Sequence, residues 1–165
     1  MAGGLRVSGF FPGAVEMIVR SHAAYYGERW GFDISFEEQV RAELTEFAER
    51  LEAGRDLLLV AMDGDRFAGS VAIDGSCAVE RGVRLRWYIV EPEYRARGVG
   101  KRLLADALEF CDGAGFETVY LWTFRGLDRA RALYESAGFH LVEERDAEQW
   151  GGVIPEQLFE RKRNG

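Results

Sequence analysis

The sequence predicts an α+β sandwich, or an α/β one around a mixed sheet. Three observations carry that prediction. The N-terminal third repeats apolar residues at helical spacing, residues 57–90 break into short apolar runs separated by turn residues, and helix and strand patterns then alternate to the end. With 165 residues and no repeat, low-complexity segment or Pro/Ser-rich linker, residues 1–165 read as one domain able to bury a real core.

Each element has its own warrant. "LRVSGFF" (residues 5–11) reads as a first strand, and Val15, Ile18, Val19, Tyr25 and Tyr26 then recur at helical spacing up to the "GERWGFD" turn. Ser35 followed by Glu38 has the form of a capping box opening a second helix, with Val40, Leu44, Phe47 and Leu51 on one face. Asp63-Gly64 between two apolar runs predicts a hairpin over 57–74. In "GVRLRWYIV" (82–90), Val83, Leu85, Trp87 and Ile89 alternate with Arg84, Arg86 and Tyr88 as in a strand. Leu103, Leu104, Ala107, Leu108 and Cys111 line a helix stopped by the glycines of "GAG" (113–115). "TVYLW" (118–122) is a further strand and "DRARALYESA" (128–137) a helix ended by Gly138. "FHLVEER" and "VIPEQLFER" close the chain as an antiparallel pair.

Composition narrows the function. A formal charge of −7 disfavours nucleic acid as a partner, because affinity for a polyphosphate rests on Lys and Arg. No apolar run approaches the roughly 18 residues of a membrane span, and the N-terminus lacks a signal-peptide core, so no membrane partner is expected. Cys77 and Cys111 lie far apart without metal-ligand spacing, which points to no metal and to a reduced, cytoplasmic setting.

The stretch that carries chemistry is "PEYRARGVGKRLL" (92–104). A strand that ends in a glycine turn and opens a helix offers free backbone N–H groups and the positive helix end to an anion. Gly98 and Gly100 leave the backbone open, and Arg95, Arg97, Lys101 and Arg102 add positive charge. A Walker loop would need Ser or Thr after Lys101, and a dinucleotide fingerprint would need glycine at 103; Arg102 and Leu103 exclude both. By itself the glycine pair fits a bare helix start as well as a phosphate site.

Context shifts that balance. Tyr88, Ile89, Val90, Pro92, Arg95, Gly98 and Gly100 resemble the central motif of the GNAT N-acetyltransferase superfamily. Ala130, Leu133, Tyr134, Gly138 and Phe139, within "ARALYESAGFHLVEE", resemble its second motif. "HAAYYGERWGFDISFEEQV", "LWT" and "RALYESAGFHLVEE" further resemble the acetyltransferase domain attached to some MarR-type regulators.

The resemblance implies an α+β fold, an α/β/α sandwich whose GNAT-like mixed, mostly antiparallel sheet is flanked by helices and split at strands 4 and 5, opened by a bulge near Tyr88–Val90, with acetyl-CoA as co-substrate. Backbone groups of Tyr88, Ile89 and Val90 would pair with the pantetheine arm. The turn of Arg95, Ala96, Arg97, Gly98, Val99, Gly100 and Lys101 would hold the pyrophosphate. Tyr134 stands where the family often places the acid that protonates the departing thiolate; the alternative is an amphipathic core tyrosine. Two departures stand out, Leu127 in place of an Asn that touches the cofactor arm and Trp122 in place of a basic Glu, and no general base is assigned.

On the acceptor side, Arg84 and Arg86 share a predicted face with Tyr88, either binding an anionic acceptor or lying on a solvated face. His22 is either a satisfied core histidine or, with Tyr25 and Trp30, part of the acceptor wall; Trp122 is counted with that side. The expected activity is acetyl transfer from acetyl-CoA to the amine of a small acceptor, with an amino acid or related anion among the candidates, by direct attack in a ternary complex. A non-catalytic acyl-CoA sensor and a protein N-acetyltransferase are the alternatives. Homodimers are common among similar proteins.

Overall fold

The computed structural model describes residues 5–163. Seven strands form one sheet: β1 (Leu5–Ser8), β2 (Leu57–Asp63), β3 (Arg66–Asp74), β4 (Val83–Val90), β5 (Thr118–Phe124), β6 (His140–Gln149) and β7 (Gly152–Lys162). Their order is β1-β2-β3-β4-β5-β7-β6, and the β4–β5 pair alone is parallel. Helices α1 (Ala14–Trp30) and α2 (Ile34–Glu49) cover one face, and α3 (Val99–Gly113) and α4 (Asp128–Ser136) the other. This is the mixed, mostly antiparallel α/β/α sandwich expected, split between strands 4 and 5.

Alternation along β2 explains the two layers. Leu58, Val60 and Met62 pack with α1 and α2, while Leu57, Leu59 and Ala61 pack with α3. Each core has a fully buried aromatic anchor, Phe47 on one side and Phe159 on the other. Fully burying one such ring is worth about 1.5–3 kcal/mol, so each is an anchor for its layer.

Local expectations needed three adjustments. Helix α2 is capped by Asp33, whose carboxylate accepts from the Ser35 N–H, because Asp33 is the extended residue just before the first helical turn. Ser35 is therefore inside the helix, and Leu51 lies beyond its end. β1 stops at Ser8, where its antiparallel pairing with β2 ends.

The third adjustment is functional. Opposite Val71 the β3–β4 register slips, with Ser70 against Ile89 but Ala72 against Arg86, so β4 carries one extra residue. The bulge sits at Trp87–Tyr88, one step before its predicted place. Trp87 takes a left-handed φ of 48°, and its carbonyl accepts from the buried Ser70 hydroxyl at 2.7 Å. A bulge breaks the alternation of faces. Trp87 turns toward α2, 5.3 Å from the Phe47 ring, whereas Tyr88 turns toward α3. Arg84 and Arg86 thus do not share a face with Tyr88, as simple alternation predicted.

Candidate functional site

The parallel pairing of β4 with β5 is confined to Val83–Val119 and Arg84–Tyr120. Beyond these pairs the bulge turns β4 away while β5 continues against β7, and a wedge opens between them. The β5-facing backbone groups of the second half of β4 are thereby left without a strand partner.

On one side the wedge widens into a cleft of about 860 Å³, bordered by β4, the β4–α3 turn and α4. In that turn Ala96 (φ 65°) and Gly98 (φ 82°) are left-handed, and Gly98 caps α3 without a side-chain hydrogen bond. Among the described residues no acceptor lies in hydrogen-bonding geometry on the N–H groups of residues 98–101. These donors, with the positive end of a 15-residue helix, face the cleft and suit a pyrophosphate.

The two glycines have different reasons. A Cβ on Gly98 would meet nothing within 4 Å, so its left-handed φ is the demand. A Cβ on Gly100 would lie 3.0 Å from Tyr88 Oη and 3.2 Å from Val90 Cγ2, so close approach of β4 to α3 is the demand there. Tyr88 Oη donates to the Gly100 carbonyl at 2.6 Å, fixing strand to helix.

Around the turn, Arg95 Nε donates to the Val90 carbonyl at 3.1 Å, and its guanidinium lies 4.9 Å from the Tyr25 ring centroid. Lys101 borders the cleft and has no ion-pair partner among the described residues. Arg97 stacks over Tyr94 and the Val99 side chain is buried, so those two face the cleft with backbone at most.

Across the wedge lies a smaller cavity of about 160 Å³ between β4, β5 and the two N-terminal helices. Tyr26, Tyr88, Thr123 and Tyr134 border both spaces and mark their junction. Tyr134 is 5% exposed, its ring 5.9 Å from that of Tyr88. Its hydroxyl makes no hydrogen bond among the described residues, and burial beside Tyr26 and Tyr88 raises its pKa well above the phenol range. Tyr134 therefore holds its proton at neutral pH.

In the smaller cavity Arg86 is already committed. It bonds Glu43 of α2, lies 3.8 Å from Asp74 and stacks 4.2 Å over the Trp87 ring. Arg84 is different: among the described residues it has no ion pair, and its Nε is buried without a hydrogen-bond partner. Burial, aided by repulsion from Arg86, lowers its pKa against the opposing pull of Tyr120, Glu43 and Asp74.

His22 borders the same cavity, 6% exposed, with Nδ1 2.8 Å from the Ile18 carbonyl. Burial pushes its pKa down to about 4. The unfolded chain binds this proton from pH 6.5 downward and the folded chain only near 4, so stability is lost as pH falls through that window. The expected loss from this one group is about 3 kcal/mol between pH 7 and 4. Denaturant titrations of wild type and His22→Asn check it: the wild type should lose ground to the variant on acidification, and a constant gap would contradict it.

The other predicted residues are distributed unevenly. Trp122 borders the smaller cavity, with the Arg145 guanidinium 4.3 Å over its ring. Tyr25 borders the larger cleft, on the anion side. Trp30 borders neither; it packs against Phe32 and Phe124 at the end of α1.

Sequence reading missed Glu43, Tyr26, Thr123, Phe124 and Trp150, all of which border the smaller cavity. Glu43 could have been found, since it lies three residues after Val40 and four before Phe47, at the edge of the buried stripe of α2. Trp150 could not. It reaches the cavity at the tip of the β6–β7 hairpin, its Nε1 donating to Gln39 Oε1 at 2.9 Å and its carbonyl accepting from the Asp33 N–H at 3.3 Å.

Against known proteins, the model of the acetyltransferase (GNAT) family matches residues 16–139. N-alpha-acetyltransferase RimI of Mycobacterium tuberculosis is 45% identical over 53 residues, 32% of this chain and 32% of that protein. The same length of match covers 14% of an uncharacterized protein from Mycobacterium leprae, so the chain spans a third or less of these curated relatives. An acetyltransferase from Streptococcus agalactiae superposes with a TM-score of 0.74 at 15% identity, covering 97% of this chain and 99% of that one. The ribosomal-protein-S18-alanine N-acetyltransferase from Escherichia coli gives 0.68 at 18%, covering 98% and 96%. At these identities the solved structures speak for the fold.

Proposed function

The chain belongs to the GNAT acetyltransferase family, and we propose that it transfers the acetyl group of acetyl-CoA to the amine of a small, anionic acceptor. Acetyl-CoA, the family's co-substrate, supplies a reactive thioester when bound. The N–H groups of residues 98–101 and Lys101 hold the pyrophosphate, and the edge of β4 at Tyr88, Ile89 and Val90, which has no strand partner on the β5 side, aligns the pantetheine arm. A β4 N–H polarises the thioester carbonyl at the junction of the two spaces. Tyr134, protonated and without an internal partner, gives its proton to the departing sulfur.

The observation that carries the acceptor class is Arg84, a half-buried side chain with no ion pair among the described residues and a buried Nε without a hydrogen-bond partner, bordering the smaller cavity. A carboxylate on the acceptor, such as that of a free amino acid, would supply the missing partner. The test is acceptor-dependent CoA release with a panel of free amino acids and their decarboxylated amines. Carboxylate-bearing amines should react faster, and Arg84→Met should lower their kcat/KM by about 10- to 100-fold while barely touching the decarboxylated amines. Equal loss for both sets would remove the anionic acceptor.

A second reading has one support, the 53-residue likeness to a protein N-alpha-acetyltransferase; tripeptides with free N-termini belong in the same panel. CoA release that no amine accelerates would favour the acyl-CoA sensor. The closer likeness to the domain attached to MarR-type regulators rests on sequence stretches alone. A reducing, cytoplasmic setting accords with free Cys77 and Cys111, and no helix among the described residues is long and apolar enough to cross a membrane.

A further inference from the structure

We propose that His22 is the general base of the transfer, taking the acceptor's proton on Nε2 as the amine attacks. The assignment rests on the acetyltransferase reading and supplies the base that the sequence did not reveal.

The tautomer follows from one contact. Nδ1 lies 2.8 Å from the Ile18 carbonyl, which can only accept, so the proton of the neutral ring sits on Nδ1 and Nε2 carries a free lone pair. That lone pair is unused: Nε2 has no hydrogen-bond partner among the described residues. It is not sealed either. The buried side-chain nitrogens without partners among the described residues are Trp30 Nε1 and Arg84 Nε, so Nε2 opens onto the cavity that His22 borders. Its ring stands 6.2 Å from that of Tyr26, which borders both cavity and cleft, and so lies beside the junction where acceptor and thioester meet.

The other charged and titratable groups around this cavity are spoken for. Glu43 of α2 is bonded to Arg86, Arg84 and Arg86 of β4 are cations, and Tyr26, Tyr88 and Tyr134 are buried phenols that keep their protons. Gln39 accepts from Trp150. His22 remains as the imidazole with a vacant lone pair. The ring stays unprotonated through the physiological range, so its lone pair is available, and the amine nitrogen loses basicity as it bonds to carbon. Bonds and protons balance. The nitrogen–carbon bond forms, the carbon–sulfur bond breaks with its electron pair on sulfur, the amine's proton passes to His22 Nε2, and sulfur takes one from Tyr134. Solvent then resets both side chains.

His22→Asn is the decisive variant, because its amide can keep the donor to the Ile18 carbonyl while Nε2 is removed. Expected is a fall of about 100-fold in kcat for the fastest amine of the panel, with acetyl-CoA affinity unchanged by calorimetry. In His22→Gly, added imidazole should restore turnover in proportion to its unprotonated fraction, rising through about pH 7; filling a hole would not depend on that fraction. Nitrogen-15 NMR of the wild-type imidazole should show an unprotonated Nε2 that shifts when the same amine binds. Full kcat in His22→Asn, or rescue independent of imidazole protonation, overturns the base while leaving the acetyltransferase reading intact. Wild-type protein that no amine accelerates overturns both.

Discussion

Replacing Gly100 with tryptophan is expected to abolish acetyl-CoA binding, a loss of at least about 100-fold in affinity by calorimetry. The first Cβ of any side chain here meets Tyr88 Oη at 3.0 Å and Val90 Cγ2 at 3.2 Å, and Leu133 Cδ1 waits at 3.7 Å. An indole cannot be seated among them, so it either projects into the cleft where the N–H groups of residues 98–101 converge or prises α3 from β4. The first blocks the anion directly. The second breaks the Tyr88–Gly100 bond and moves the same donors. Thermal melting separates the two, since protrusion leaves Tm near wild type and prising lowers it. Retained affinity would remove the pyrophosphate site from this turn.

This variant also shows where local reading stops. "RGVG" was legible as a glycine turn opening a helix because φ preference and helix capping are properties of a few adjacent residues. Gly98 belongs wholly to that class. Gly100 does not: it is glycine because Tyr88 and Val90, ten or more positions earlier, press on it, and that contact exists only after the bulge has turned Tyr88 toward α3. The bulge is likewise illegible as a residue pattern, since Val83–Val90 alternates without a break in sequence while one peptide flips the faces in space. The error in placing Arg84 and Arg86 beside Tyr88 follows directly from it.

The acceptor side was the least legible for the same reason. Its walls come from α1, α2, β4, β5 and the β6–β7 tip, and no periodicity within one element reports which of the others will face it. His22 was read correctly as a residue on an apolar helix face. Its free nitrogen became visible only once the Ile18 carbonyl fixed the tautomer and Tyr26 gave its distance from the junction.

Tyr134→Phe is expected to lower kcat by about 10- to 1,000-fold with acetyl-CoA affinity nearly unchanged. The same variant should be no less stable than the wild type, and this pairing of outcomes is what identifies the role. The Tyr134 hydroxyl has no internal hydrogen bond among the described residues and borders the junction of the two spaces, so removing it breaks no bond that folding makes. The ring keeps its contacts with Tyr88, Phe139 and Phe159. A tyrosine kept only for packing would hold stability on losing its oxygen and forfeit no turnover. A tyrosine kept as an acid holds stability and loses the proton that sulfur needs. Because burial raises its pKa well above the phenol range, Tyr134 contributes no alkaline limb near neutral pH. The pH–rate profile should therefore drop in height without changing shape. Unchanged kcat, or a profile that changes shape near neutrality, would return Tyr134 to the core and leave the leaving sulfur to be protonated by solvent.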